Sequence, residues 1–460
     1  MAAAPPSVSA SGLPKVDSRV LRSISGGRTA TYWAILRSRA DLSGAASIKD
    51  WTARGWYVYD RLNSVASSSQ RGLQSLLKAR RVSARAFWIT NAIRITSKAD
   101  ILSAVAARTE VARVVPDWSA RIETPVRSAR VSAVEWNIQR VNAPQVWSTY
   151  NDRGEGIVVA NIDTGVQWNH PALVKQYRGL SCPFMCLSAN HNYNWFDPSK
   201  VCSADGKTPC DNIGHGTHTM GTMVGDDRGS NQIGVAPRAY WMTAKGCETN
   251  HCSGSALLAS GQWMLAPKDL NGQNPRPDLR PDVVNNSWAI GPGNTFYRAT
   301  VQAWVASGIF PQFAIGNSGP GCGTSNSPGD YPESYAAGAF NNIGDIALFS
   351  SRGPSAFGGI VKPNIAAPGV NVRSSVPPST YANFTGTSMA SPHVAGTVAL
   401  IWAGAPSFRR DIPATRAVLD QTAVDVSDLT CGGSAGNNNV WGEGRLDAFA
   451  AVTKAKGLSG

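Results

Sequence analysis

One stretch constrains this chain more than any other: Gly386-Thr387-Ser388-Met389-Ala390-Ser391-Pro392-His393-Val394-Ala395-Gly396. A polar, turn-rich run, Ser379-Thr380-Tyr381-Ala382-Asn383, precedes it, and an apolar segment from Val394 to Ala403 follows. Val394, Val398, Ile401 and Trp402 recur at helical spacing with Ala and Gly between them, the pattern of a buried helix. Pro392 fits only near the start of such a helix, where backbone N–H groups have no intrahelical partner. Ser388 therefore belongs at or beside a helix N-terminus, where free N–H groups and the dipole favour a developing negative charge. A nucleophile attacking a carbonyl suits that place, because its own N–H can help hold the oxyanion. A serine hydroxyl is inert at neutral pH without a base, so the chain must also supply a histidine and a group to orient it.

Both stand upstream. Asp163 ends the apolar run Ile157-Val158-Val159-Ala160-Asn161-Ile162 and is followed by Thr164-Gly165. A carboxylate just past a buried strand lies where open α/β sheets place their sites. His215 stands in Gly214-His215-Gly216-Thr217-His218-Thr219-Met220-Gly221-Thr222-Met223, whose small residues let a helix start close against a sheet. Asp-Thr-Gly is also the aspartic-protease signature, but those enzymes need two, and the chain holds no second Asp-Thr-Gly or Asp-Ser-Gly. His215 and His218 lack the Glu-bearing pattern of a zincin helix. In the order Asp, His, Ser, the three segments resemble those of the subtilisin-like serine peptidases. The resemblance implies an α/β fold, a three-layer catalytic domain with a mostly parallel sheet. It also implies catalytic roles for Asp163, His215 and Ser388.

A length of 460 residues suggests two domains. Residues 1–28, rich in Ala, Ser and Pro, read as a disordered N-terminal segment without an apolar stretch able to act as signal or membrane span. Residues 29–117 carry a different pattern: strands at Thr31–Leu36, Ala86–Ile89, Ala92–Ile95 and Val111–Val115, and helices at Ser69–Arg81 and around Ile101, Leu102 and Val105. That β-α-β-β-α-β order is ferredoxin-like. It matches the inhibitory prosegment of the family, so a self-processing zymogen with an intramolecular inhibitor is expected. Residues 118–133 are polar and mixed, an exposed linker and processing region, and residues 134–460 form the catalytic domain, opening on Val134–Trp147.

Charge follows the same division. Residues 1–130 hold 21 Lys+Arg and 8 Asp+Glu, a difference of +13, and the remaining 22 and 22 cancel, so the whole formal +13 lies in the leading part. A basic chain raises nucleic acid as a partner, but no basic stripe with interleaved aromatics is present and a removable segment would take the charge with it. Neither nucleic acid nor membrane is expected as a partner; a monomer acting on protein and peptide substrates is.

Eight cysteines in short local pairs point to disulfides and an extracytoplasmic, secreted protein. Their spacings are not the usual zinc ones. Proximity favours Cys182–Cys186, Cys202–Cys210 and Cys247–Cys252, leaving Cys322 with Cys431.

Further segments carry the resemblance. Asp282–Ala289 resembles the strand lining the family's substrate cleft, which would pair with extended peptides; Ser287, Trp288, Ala289 and Gly316 are accordingly substrate-binding candidates. Phe313–Gly319 matches the stretch bearing the oxyanion Asn, here Asn317, a donor that does not titrate. Phe349–Pro354, Lys362–Gly369 and Gly442–Ala448 resemble other recurring stretches of the family. The Cys-bearing loops and His218-Thr219-Met220-Gly221 look most like its bacillopeptidase F-like group. Two departures stand out. Arg228 falls where many relatives carry a calcium-ligating Asn, and a guanidinium cannot ligate a cation. No metal ligand is therefore assigned, no cofactor is required, and only weak structural calcium is expected. Ala289 stands where Gly is common, which narrows the primary pocket and favours Leu or Met over Phe or Tyr before the cut bond.

Overall fold

The computed structural model describes residues 13–122, 134–181 and 188–459. The chain divides into two compact units, Met1–Trp118 and Ser119–Gly460.

In the first unit, α1 (Ser18–Ile24) precedes β1 (Ala30–Leu36), α2 (Trp51–Ala79), β2 (Ser83–Phe87), β3 (Ala92–Ser97), α3 (Ala99–Ala106) and β4 (Val111–Pro116). The strands form an antiparallel sheet in the order β2-β3-β1-β4, the ferredoxin-like arrangement. Its core joins Tyr32, Ala34 and Leu36 to Leu73 and Leu77 of α2, Ile93 and Ile95 of β3, and Leu102 and Val105 of α3. Helix α2 starts eighteen residues before the expected Ser69. Asp50 caps it by accepting from Ala53 N–H at 2.7 Å, and Val58, Leu62 and Ala66 carry the buried face back at four-residue spacing.

The disorder expected for residues 1–28 does not hold for residues 13–28. Asp17 N–H donates to Val114 O at 2.9 Å, and Val114 N–H to Lys15 O at 2.8 Å. Val16, Val20 and Ile24, spaced by four, bury into the same core. An Ala/Ser/Pro-rich composition concealed that short apolar stripe. Residues 1–12 lie outside the described residues.

The second unit begins with β5 (Ser119–Arg121), so the expected linker 118–133 is in part a strand; residues 123–133 lie outside the described residues. Then follow α4 (Trp136–Arg140), α5 (Ala143–Tyr150), β6 (Val158–Asp163), β7 (Trp195–Phe196), α6 (His215–Val224), β8 (Tyr240–Lys245), β9 (His251–Ser253), α7 (Gly254–Leu265), β10 (Val283–Asn286), α8 (Arg298–Ser307), β11 (Phe310–Ala314), β12 (Tyr335–Phe340), β13 (Ile365–Pro368), β14 (Val372–Val376), β15 (Thr380–Phe384), α9 (Thr387–Gly404), α10 (Ile412–Thr422) and α11 (Ala448–Ser459). Seven strands make one parallel sheet, β13-β12-β11-β10-β6-β8-β7, buried as such sheets are. Helices α6 and α9 pack on each other and on the sheet and are buried along nearly their whole length. Gly and Thr on α6 and Gly, Ala and Thr on α9 permit that approach: a Cβ at Gly216 would collide with the Gly165 carbonyl oxygen.

Three of the expected disulfides are formed, Cys202–Cys210, Cys247–Cys252 and Cys322–Cys431. Cys182 and Cys186 lie outside the described residues. Among the described residues no helix is long and apolar enough to cross a membrane.

Candidate active site

The C-terminal edge of the parallel sheet gathers the sequence candidates. Asp163 is the last residue of β6, Ser287 follows β10, Gly316 and Asn317 follow β11, and α6 and α9 begin at His215 and Thr387. Since β6, β10 and β11 are neighbours in register, these groups come from three adjacent strand ends and two helix N-termini.

Asp163 and His215 are buried. His215 Nδ1 stands 2.8 Å from Asp163 Oδ1, which also accepts from Thr164 N–H at 2.7 Å, while Thr219 Oγ1 donates to Oδ2 at 3.4 Å. A carboxylate facing Nδ1 fixes the proton there and leaves Nε2 as the acceptor. That Nε2 is buried and has no hydrogen-bond partner. The Ser388 hydroxyl meanwhile donates to Ser287 O at 3.2 Å.

Pro392 is the sixth residue of α9, which starts earlier than the apolar run suggests. Lacking an N–H, it leaves the carbonyl four residues back, that of Ser388, without its helical donor. The Ser287 hydroxyl supplies one at 2.9 Å. Ser287 is thus tied to Ser388 by both its Oγ and its carbonyl.

Asn317 Oδ1 accepts from Thr387 N–H and Thr387 Oγ1, each at 2.8 Å. Those bonds fix the amide orientation and leave Nδ2 as the free donor. A methyl placed on Gly386 would lie 3.4 Å from Asn317 Nδ2 and 3.7 Å from Ser388 N, so two donors converge on one small space beside the serine. Gly316 has φ +108°, and a side chain there would run into Asn326.

Ser287, Trp288, Ala289, Gly316, Asn317 and Ser388 border one cleft of about 470 Å³. The Trp288 ring is not a free wall. It is buried edge-on against Tyr297 at 5.1 Å and Phe313 at 5.9 Å. Ala289, two residues after Ser287, lines the same cleft.

Sequence reasoning missed the groups that hold this edge in place. Asp211 Oδ1 accepts from Gly214 N–H at 2.7 Å and Thr164 Oγ1 at 2.8 Å, and Oδ2 from Thr217 N–H at 2.8 Å and Thr217 Oγ1 at 2.7 Å. It locks the start of α6 to the end of β6; a carboxylate four residues before a helix start was the available signal. Lys245, buried at the end of β8 opposite Asp163 in register, donates to Thr164 O and to Asn212 Oδ1. Burial pulls its pKa down, while Asp211, Asp197, Asp163 and Glu248 act the other way.

The two other histidines near the site are structural. His218 Nε2 faces Val372 O at 2.9 Å and Ala382 O at 3.1 Å, its ring stacks on Phe384 at 4.3 Å, and burial pushes its pKa down to about 3. His393 lies between Met389 O and Asn137, each at 2.8 Å, and burial lowers it to about 4.

In the loop after α6, Asp227 accepts from Gly229 N–H at 2.7 Å, Asn231 N–H at 3.1 Å and Asn231 Nδ2 at 2.6 Å. A guanidinium from another element reaches this loop: Arg373 donates to Asn231 Oδ1 at 2.7 Å and to buried Glu135 at 2.8 Å. Among the described residues no group of three or more His, Cys, Asp or Glu is disposed to hold a metal ion.

Comparison with known proteins agrees with this geometry. The subtilase family model matches residues 154–444. Bacillopeptidase F of Bacillus subtilis is 38% identical over 418 residues, covering 86% of this chain but 28% of that longer protein. Subtilisin E of the same species is 30% identical over 322 residues, 70% of this chain and 71% of that one. Subtilisin Savinase of Lederbergia lenta is 32% identical over 320 residues, 70% of this chain and 99% of that protein. The chain belongs to the subtilase family of serine peptidases.

Proposed function

We propose that the chain is a secreted serine endopeptidase, made as a self-processing zymogen and acting on proteins and peptides as a monomer. In this reading a peptide carbonyl enters the space beside Gly386, and Ser388 Oγ leaves its bond to Ser287 O, gives its proton to His215 Nε2 and attacks. Asp163 holds the imidazole in the accepting tautomer and stabilises its cation, and the imidazolium then protonates the leaving amine. Asn317 Nδ2 and Ser388 N–H receive the oxyanion. A Ser–His bond that tightens only with substrate in place is common in empty sites. The observation that carries the reading is the pairing of the Asp163–His215 hydrogen bond with two N–H donors converging beside Ser388.

The zymogen reading has its own support. Residues 119–122 run along the cleft, with Arg121 N–H on Ala289 O at 3.2 Å and Ile122 N–H on Asn250 O at 2.9 Å. The second unit holds 342 of 460 residues, or 74%, whereas the likeness to bacillopeptidase F covers 86% of the chain. It therefore extends into the first unit, the proposed prosegment. Secretion is supported by three disulfides, which persist in oxidising compartments.

Purified chain should degrade casein, and Ser388→Ala should not. Casein cleavage retained by Ser388→Ala, free of other proteases, would refute the assignment. No tight calcium site is expected in residues 226–232, so chelation should not destabilise the protein through this loop; a large fall in melting temperature that maps to this loop would contradict it.

A further inference from the structure

The cleft has two walls of different construction. One is the main chain after β10, continuous with the central sheet. The other is β9, three residues long, whose strand partner among the described residues is β5 alone, in the register Ser119↔Ser253, Ala120↔Cys252 and Arg121↔His251. The segment 119–122 occupies the slot between them, hydrogen-bonded to Ala289 on one side and to β9 and Asn250 on the other. A peptide that replaced β5 would have to find β9 already in place, although β9 would then have lost the one strand partner it has among the described residues. An edge of three residues does not hold its shape by itself.

What holds β9 is a tight turn closed by Cys247–Cys252. Cys247 N–H donates to Asp163 O at 3.0 Å, so one end of the disulfide is bonded to the main chain of the acid that faces His215. The other end, Cys252, is buried and stands directly opposite Ala120, where paired side chains share a face. Inside the turn, Glu248 N–H donates to His251 O at 3.1 Å, and the Glu248 carboxylate accepts from Ser253 N–H at 3.0 Å and from Ser253 Oγ at 2.6 Å. Ser253 in turn caps α7.

We propose that the Cys247–Cys252 disulfide is a substrate-positioning element. It keeps β9 ordered as the second wall of the peptide slot, and its sulfur forms the surface met by the substrate side chain that takes the place of Ala120. This rests on the peptidase reading and adds how the enzyme gains from substrate length. A disulfide closing so short a loop restrains the unfolded chain less than Cys322–Cys431, which closes a loop with a separation of 109 residues. Its effect therefore falls on binding more than on global stability.

The test uses the full chain after its own maturation, with rates normalised to titrated serine. Peptide amides with one to five residues before the cut bond are compared in wild type, Cys247→Ser/Cys252→Ser and, as control, Cys322→Ser/Cys431→Ser. The wild type gains kcat/KM with length. The first variant should lose about tenfold or more of that gain, mainly through KM, while the shortest substrate changes by less than about twofold. The control should melt at lower temperature and keep its length gain. Should the first variant fail to fold, Glu248→Ala, which opens the same turn with the disulfide intact, should show a smaller loss of the same length-selective kind. A full length gain in these variants, or an equal loss at every length, overturns the proposal. A wild type that cleaves none of the series overturns the peptidase reading and this proposal with it.

Discussion

The two units bury their polar groups very differently. Among the described residues of the first, the buried polar side chains are few, Gln70, Thr90, Asn91 and Ser97, and Gln70 ties α2 to the β2–β3 turn through Phe87 O at 3.1 Å and Asn91 at 2.9 Å. In the second, Asn161, Asp163, Thr164, His215, His218, Lys245, Asn285, Asn286, Ser287, Ser391 and His393 are all buried around one sheet edge and the two helices that start there. A buried polar group costs stability unless it is bonded, and a network is worth keeping only when nearly complete. Stability alone explains the first unit. The second buries polar groups in several places, Asp152, Asp330 and Lys362 among them, and one dense group of them lines the edge where the chemistry is proposed.

If that edge serves chemistry, activity and stability should separate there. Ser388→Ala should show the largest effect, a loss of about 10⁶-fold in kcat, as for the serine of its relative subtilisin. The leading unit should stay attached, with little change in melting temperature. Loss of the leading segment from this purified variant would break the self-processing claim. Asn317→Ala should lower kcat by about 10²–10³-fold, the size measured for the corresponding donor in subtilisin; a rise in KM with kcat unchanged would contradict its role.

Ala289→Gly should be milder. Removing one methyl from the pocket wall should shift the Leu-to-Phe ratio of kcat/KM by about 1–3 kcal/mol at most, toward Phe. An unchanged ratio would show that the methyl does not shape the pocket.

Asp152 sharpens the contrast from the other side, as a buried carboxylate with no part in the proposed chemistry. Its Oδ1 accepts from Gly154 N–H at 2.9 Å, its Oδ2 has no partner, and burial pushes its pKa up from 3.8 to about 6. The folded state therefore binds this proton more tightly than the unfolded state, and stability falls as pH rises from about 4 to 6. Asp152→Asn should flatten that decline and raise the melting temperature near neutrality by a few degrees, on the order of 1 kcal/mol. Thermal melts from pH 4 to 8 decide it; parallel curves for variant and wild type would refute it.

What was legible in the sequence was local. Asp163, His215, Asn317 and Ser388 each sit in a short stretch whose glycines and apolar neighbours announce a strand end or helix start, and the structure brings those ends together. Alternating and four-residue apolar spacing likewise gave the β-α-β-β-α-β order. Long-range support was hidden: Asp211 locks β6 to α6, Lys245 reaches the Thr164 carbonyl, and Ser287 replaces the donor that Pro392 lacks. None of these partners is near in sequence to everything it holds. The first half of α2 and the α1 stripe were masked by the Ser, Arg and Ala that stand between their buried positions, and β5 by the polar composition of a segment whose partner strand lies about 130 residues on.

The central claim is that Ser388 is a nucleophile activated by His215. The most direct measurement is adduct mapping: the chain, freed of its leading segment by an added metalloprotease where a variant cannot process itself, is treated with a fluorophosphonate, digested, and each modified serine is located by mass spectrometry. One adduct on Ser388, absent from His215→Ala, is the predicted result. No adduct, or equal labelling of Ser388 in His215→Ala, would contradict it.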